Sequence, residues 1–422
     1  MHIEYLFFII YLLICFWLIP KNAFVKDAGL SLRVTRFLLA FRILMGLIGA
    51  YYFERVLAFS DPAVYNAEGY AQYELLISNP TLFFTDFKND INHYGLGGVF
   101  DSSYSFWAYL RFNLIYKFIA ILDLITRGNF YLNSMVFSSI IFFGNIAFYR
   151  IYSDMYRNHK LKILFACFLL PSILLYTSCV HKDGLIFLST GMLSFLFYTF
   201  LKNEGIRSIK TYLVFLLGII IIFLFRNYVL VVLLPAIFTV LLCKLLPYKR
   251  KIIFFISYAF FGFLFFLSGY FSSSWSLPNA VIKRKADFAV LADANTNIPM
   301  NELDPTVKSF IQNLPQAINH SLFRPYLWEF SNIGIILTAL ELLFYQLLII
   351  GFIFFRNKKE TILNNFNLYG FAFFISMMLI IGYTIPNIGA IVRYRSVFWI
   401  FLVCPLLCNI KWPQIKWSGD KR

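Results

Sequence analysis

Residues 212–246 read YLVFLLGIIIIFLFRNYVLVVLLPAIFTVLLCKLL, two apolar runs, Tyr212 to Phe225 and Tyr228 to Leu246, with only Arg226-Asn227 between them. A helix needs roughly 17–25 residues to cross a hydrocarbon core of about 30 Å, and each run comes close to that length or reaches it. The stretch therefore reads as two membrane-crossing helices joined by an abrupt polar turn. Composition carries the reading to the whole chain of 422 residues, which is 60% hydrophobic, 20% aromatic and only 14% charged, with 52 Phe. A soluble domain holds roughly 45–50% apolar residues. The fold class expected is an all-α, polytopic integral membrane helix bundle, one transmembrane domain over 1–422.

Further runs of suitable length lie near 3–19, 36–55, 131–151, 161–178, 184–201, 252–270, 331–355, 366–384 and 395–410, which makes eleven spans with the two above. The first lacks a basic leading region and a small-residue cleavage site and ends at Pro20-Lys21, so it reads as a retained helix. The segment 104–126 is ambiguous, because Phe106, Trp107, Leu110, Leu114, Phe118 and Leu122 form an apolar stripe that Arg111, Lys117 and Asp123 interrupt. Positive charge decides its place. If it spans, the basic turns at Lys249-Arg250-Lys251 and Arg356 to Lys359 and the basic tail all fall outside; if it lies in the interface as an amphipathic helix, they fall in the cytoplasm. The second arrangement puts two long extracytoplasmic loops at 56–130 and 271–330, and short outer turns at 179–183, 226–227 and 385–394. Loops of that length without a fold of their own are usually functional.

The net charge of +16, from 37 basic and 21 acidic residues, then reads as anchoring charge beside anionic lipid. Nucleic-acid binding is disfavoured, since no basic soluble domain stands apart from the apolar runs. The six cysteines fall almost entirely in apolar segments without zinc-ligand spacing, as packing residues do.

Some basic residues sit on the face where this topology should leave few, which points to a bound anion. In the turn Ser178 to Gly184, Lys182 lies where a helix N-terminus already favours negative charge, and Asp183 suits the N-cap; a snorkelling lysine in a polar turn is the alternative. Arg226 near hydrocarbon needs a phosphate or an acidic partner, for which Glu68 and Glu329 are candidates. Arg324 and Glu329 add a cation and a carboxylate to Tyr326 and Trp328, which otherwise fit an aromatic belt. Arg393 and Arg395 can present two planar forks to neighbouring phosphate oxygens. Asp61 and Glu68 are the acids best placed at the membrane surface, whereas Asp86, Asp90 and Asp101 read as solvated. The lone histidines His93, His181 and His320 read as satisfied polar residues, and no Asp-x-Asp supports a metal-diphosphate site.

Outer Asp61 with Tyr65, the proline-broken helix leading to Lys182-Asp183, the Arg324-Pro325 to Glu329 stretch and the Asn387 to Arg395 turn resemble the bacterial O-antigen and exopolysaccharide polymerases, distantly similar to the polytopic GT-C glycosyltransferases that use lipid-linked sugars. The resemblance implies a multi-pass protein of the bacterial cytoplasmic (inner) membrane with an extracytoplasmic active face. It would move a glycan from a polyprenyl diphosphate carrier onto a lipid-linked acceptor. Its partners would be the polyprenyl-diphosphate-linked oligosaccharide, membrane lipid and a chain-length regulator, with no cofactor and no metal. On that basis Asp61, with Glu329 second, is expected to orient or deprotonate the attacking hydroxyl, giving inversion. Lys182, Arg226, Arg324, Arg393 and Arg395 would hold the diphosphate as it gains charge, Asp183 would bind substrate beside them, and Tyr65, Tyr326 and Trp328 would stack on sugar. A transferase adding one sugar from a polyprenyl monophosphate shares these features. A lipid-glycan flippase or anion transporter would instead show polar groups at mid-membrane depth.

Overall fold

The computed structural model describes residues 2–57, 60–87, 93, 95–101, 105–203, 209–271, 275–290, 296–329, 333–357 and 362–411. Asp90, Lys358-Lys359 and the tail past Lys411 lie outside the described residues. Within them the fold is all helical, with two isolated bridges and no strand. The labelled helices are α1 (His2–Leu18), α2 (Leu32–Tyr51), α3 (Asp61–Ser78), α4 (Pro80–Thr85), α5 (Phe106–Thr126), α6 (Phe130–Met155), α7 (Lys160–Phe168), α8 (Pro171–Ser178) and α9 (Lys182–Leu201). They continue as α10 (Ile209–Leu245), α11 (Arg250–Phe271), α12 (Leu277–Val290), α13 (Val307–Ile318), α14 (Ile333–Phe355), α15 (Asn365–Thr384), α16 (Ile388–Ser396) and α17 (Ile400–Asn409). Seven helices among the described residues are long and apolar enough to cross a membrane, or up to nine if the bent pairs α7–α8 (43°) and α16–α17 (65°) each count as one span. The protein is a multi-pass membrane protein.

The opening stretch forms a hairpin inside what is otherwise one long helix. Arg226 breaks α10 with φ −151° and ψ 68°. Gly218 on the first arm lies against Leu193 of α9, and Arg226 meets Asp183 at the start of α9. Lys244, at the end of the second arm, returns to the far end of α9 and donates to Asn203 Oδ1 at 2.6 Å. Both ends of α10 thus lie at one end of α9 and its midpoint at the other.

The same logic sorts the bundle's ends. Asp154 joins Lys202 (2.6 Å) and Arg157 (3.3 Å), Arg250 reaches the Leu363 carbonyl, and the Asn357 amide donates to the Asn409 carbonyl, so the basic turns gather with Lys244 at one end. The opposite end holds Asp61, Asp183, Arg226 and Arg393.

The two long connections prove largely helical. In 56–130, α3 packs along α5, and Gly69 sits close enough to Ile119 that a Cβ there would lie 2.4 Å from its side chain. Only glycine permits that approach. In 271–330, α12 and α13 pack on α15, where Phe310 meets Tyr383, whose hydroxyl donates to the Phe310 carbonyl at 2.7 Å. Lys283 pairs with Asp101 at 2.6 Å and ties the two connections together.

Polar groups are not confined to that end. Arg42 in α2 is 1% exposed and Glu341 in α14 is buried within apolar helix. A lone ionisable residue in an apolar run leaves the run readable as a span while its own partners stay invisible in the sequence.

Candidate functional site

The cysteine–histidine turn after α8 delivers His181, Lys182 and Asp183 to the head of α9. His181, not Asp183, is the N-cap: its Nδ1 accepts the Asp183 amide at 3.1 Å, and the Asp183 carboxylate sits in the first turn, where the helix dipole favours it. Asp183 is 0% exposed and takes the Arg226 guanidinium on Oδ1. This overturns the pairing of Arg226 with Glu68 or Glu329. The α10 hairpin turn has almost no length, so Arg226 meets what α9 and α16 place beside it and its own near neighbour on α10. Arg226 also donates to Tyr228 Oη (3.1 Å) and stacks over the Tyr394 ring at 3.7 Å.

Asp61 at the start of α3 closes the group from the other side. Its Oδ2 lies 2.9 Å from Arg393 Nη1 and 3.4 Å from His181 Nε2. Arg393 Nε stands 3.7 Å from Asp183 Oδ2. Burial alone would raise the Asp61 carboxyl, but Arg393, His181 and Lys182 hold it well below the usual carboxylate range. Tyr65, one turn along α3, stacks face to face on His181 with centroids 5.6 Å apart. It is 1% exposed and packs its ring on His181 while lining the cavity described below. Its hydroxyl meets no partner among the described residues, and burial, with Asp61 adding to it, raises the phenol well above its ordinary value.

Asp61, Tyr65, Lys182, Arg226, Arg393 and Tyr394 line a cavity of about 240 Å³ that also admits Arg111 from α5 and Arg284 and Asp287 from α12. Five cations (Arg111, Lys182, Arg226, Arg284 and Arg393) line it with two carboxylates, Asp61 and Asp287, while buried Asp183 pairs with Arg226 and Arg393 behind them, which leaves a surplus of positive charge. Lys182 points its ammonium toward Tyr65 and Phe112 at 5.5 and 5.2 Å rather than toward a close carboxylate. Arg111 donates to the Val99 carbonyl at 2.7 Å, and burial with nearby Arg284 lowers it to about 10. The cavity abuts a larger apolar groove of about 500 Å³ between the second arm of α10 and helices α11, α12 and α15. Arg284, Phe288 and Tyr394 bound both, and Tyr228 joins Val231, Val281 and Phe265 on the groove side.

The remaining sequence candidates form a separate cluster. Arg324 pairs with Glu329 at 3.3 Å, Glu329 accepts the Tyr326 amide at 2.9 Å, and Tyr326 stacks on Trp328 with centroids 4.7 Å apart. Trp328 is 73% exposed. Arg395 is turned away from Arg393 and donates to the Ser321 and Arg324 carbonyls at 2.7 and 2.5 Å. Consecutive-but-one residues on a helix lie about 200° apart, so the two arginines cannot share one ligand. Glu329 is occupied by its neighbours, and Arg395 fastens a backbone turn.

Sequence reasoning set His181 aside and missed Arg111, Arg284, Tyr228 and Tyr394. Arg284 had a signal: Lys283-Arg284-Lys285 is a basic run in a segment already assigned to the face where such charge is scarce. Among the described residues no group of three or more His, Cys, Asp and Glu side chains could hold a metal ion. Five of the six cysteines are buried and Cys15 is half-buried, all of them free thiols. Comparison with family models, curated proteins and solved structures finds no match.

Proposed function

We propose that this end of the bundle binds the diphosphate of a polyprenyl-linked glycan and transfers that glycan to a second lipid-linked acceptor, as an O-antigen or exopolysaccharide polymerase does. The observation that carries the reading is the shared wall of Arg284, Phe288 and Tyr394, with a cationic cavity on one side and an apolar groove on the other. An amphiphile with an anionic head and a long hydrocarbon tail matches that pairing, and each buried methylene of the tail would contribute about 0.8 kcal/mol.

In the reaction, an acceptor hydroxyl oxygen attacks the anomeric carbon, the bond from that carbon to the diphosphate oxygen breaks, and the lipid diphosphate leaves with the electron pair. Arg226, Arg284, Arg393 and Lys182 face the charge that develops on the leaving group. Asp61 is depressed in basicity, which suits a carboxylate that orients the hydroxyl and accepts its proton late; His181 is the adjacent acid–base group. Eleven spans, with the site outside a bacterial cytoplasmic membrane, complete the proposal. Its supports are the two arms of α10, each of spanning length, the two bent pairs, and the sorting of basic turns to the opposite end.

Buried Arg42 and Glu341 favour a second reading, a transporter of the same lipid-linked anion. The test is purified protein in liposomes with a polyprenyl-diphosphate oligosaccharide and no energy source. A ladder of longer glycans supports the polymerase and a single addition supports the simpler transferase. Movement of unaltered substrate across the bilayer without any new glycosidic bond overturns both.

A further inference from the structure

Helix α8 is only eight residues long, it begins inside the bundle, and it runs straight into the turn that bears His181, Lys182 and Asp183. A helix that starts within a membrane exposes backbone groups that water cannot reach. Here each end meets a buried charge of the sign that complements the helix dipole. At the N-terminus, Glu341 from α14 accepts the Ser172 amide on both carboxylate oxygens (3.2 and 3.1 Å) and the Ser172 hydroxyl at 3.1 Å. At the C-terminus, Arg42 from α2 donates to the Thr177 carbonyl and hydroxyl at 3.0 and 2.8 Å. Nε and Nη1 of Arg42 meet no hydrogen-bond partner among the described residues, so the carbonyl end of α8 is the main counterweight to its charge. Glu341 is in turn held by the Tyr345 hydroxyl. Across the break from α7, Asn145 donates to the Cys167 carbonyl.

We infer that Glu341 and Arg42 are positioning residues that clamp α8 by its two ends and thereby fix the His181–Asp183 turn against Asp61, Arg226 and Arg393. Two helices far apart in sequence each contribute one jaw. The clamp gives the buried charges a task in the transferase reading of the site, and in that respect the inference rests on that reading. The placement of the turn is independent of it.

Cys179 is a native reporter for that placement. It lies at the end of α8, buried, with its sulfur 3.6 Å from Ser134 Oγ. The experiment treats the full-length protein in detergent with N-ethylmaleimide and follows Cys179 and the core residue Cys404 by mass spectrometry, alongside binding of farnesyl diphosphate. Glu341→Gln and Arg42→Gln are each expected to speed Cys179 labelling about tenfold or more, corresponding to about 1.4 kcal/mol of local opening, with Cys404 unchanged and farnesyl diphosphate bound more weakly. The double variant should add little to the larger single effect, because one released jaw already frees the turn. Arg42→Lys, which keeps the cation, should retain most of the protection and serves if the Gln variants do not fold. Slow Cys179 labelling in every variant overturns the clamp, and so does equal acceleration at Cys404, which would mean general loosening. Absence of farnesyl diphosphate binding in the unaltered protein would count against the proposed function alone, and the labelling arm would still decide the clamp.

Discussion

Arg226 and Asp183 form an ion pair from which water is excluded, 2% and 0% exposed, although 43 residues separate them in the chain. Removing one partner of such a pair leaves a desolvated charge and costs about 3–5 kcal/mol. Asp183→Asn is therefore expected to lower the detergent melting temperature more than any single change at the cavity rim. Arg226→Lys should also fail to restore stability, because an ammonium loses the bond to Tyr228 and the stacking on Tyr394. Thermal unfolding followed by size-exclusion chromatography checks both, and an unshifted Asp183→Asn would remove the pair from the stability account.

Arg393 and Arg395 should separate cleanly. Arg393 faces Asp61 and the cavity, whereas Arg395 holds the Ser321 and Arg324 carbonyls. Arg393→Lys is expected to fold and to bind farnesyl diphosphate about tenfold or more weakly, the loss of one charge-assisted bond of about 1.5–3 kcal/mol. Arg395→Lys should reduce thermal stability and leave the affinity of the surviving folded fraction near the original. Equal affinity losses in the two would mean that both touch the ligand.

The pH dependence follows from the sign of the Asp61 shift. Its folded carboxyl lies below its unfolded value of about 3.9, so its contribution to stability is present above that value and is lost only as pH falls through the lower, folded one. Between pH 5 and 8 Asp61 stays ionised. Asp61→Asn should thus lower transfer about a hundredfold, typical for an acid–base group, by the same ratio at every pH in that window. A ratio that changes by tenfold across the window would show that Asp61 itself titrates there.

Ala280 lines the apolar groove and not the cationic cavity. Ala280→Trp should weaken farnesyl diphosphate while sparing inorganic pyrophosphate, since only the first has a hydrocarbon tail to displace. Parallel losses for the two probes would dissociate the groove from the ligand.

The hairpin, the helical class and the sorting of charge could be read from the chain because apolar length and basic turns are local properties. Asp61 and Arg393 could be named but not joined: they stand 332 positions apart in the chain, and no spacing rule spans that distance. Glu329 was misjudged for a related reason. Its neighbour Arg324 was visible, yet only the turn back to Tyr326 shows the carboxylate already occupied. Glu341 was hidden in an apolar run, and its partner Ser172 belongs to a different helix.

The abrupt turn at Arg226 also constrains how the chain is made. Its two arms share almost no linker, so they must enter the bilayer together, with the guanidinium at the turn between them. Asp183 has emerged earlier on α9, and the arriving cation finds its counter-ion already in place. Arg393 comes far later, after three more apolar helices, α11, α14 and α15. Until α16 is delivered, Asp61 stands without its cation. A chain cut short before residue 393 would therefore carry Asp61 without the guanidinium that pairs with it in the complete bundle.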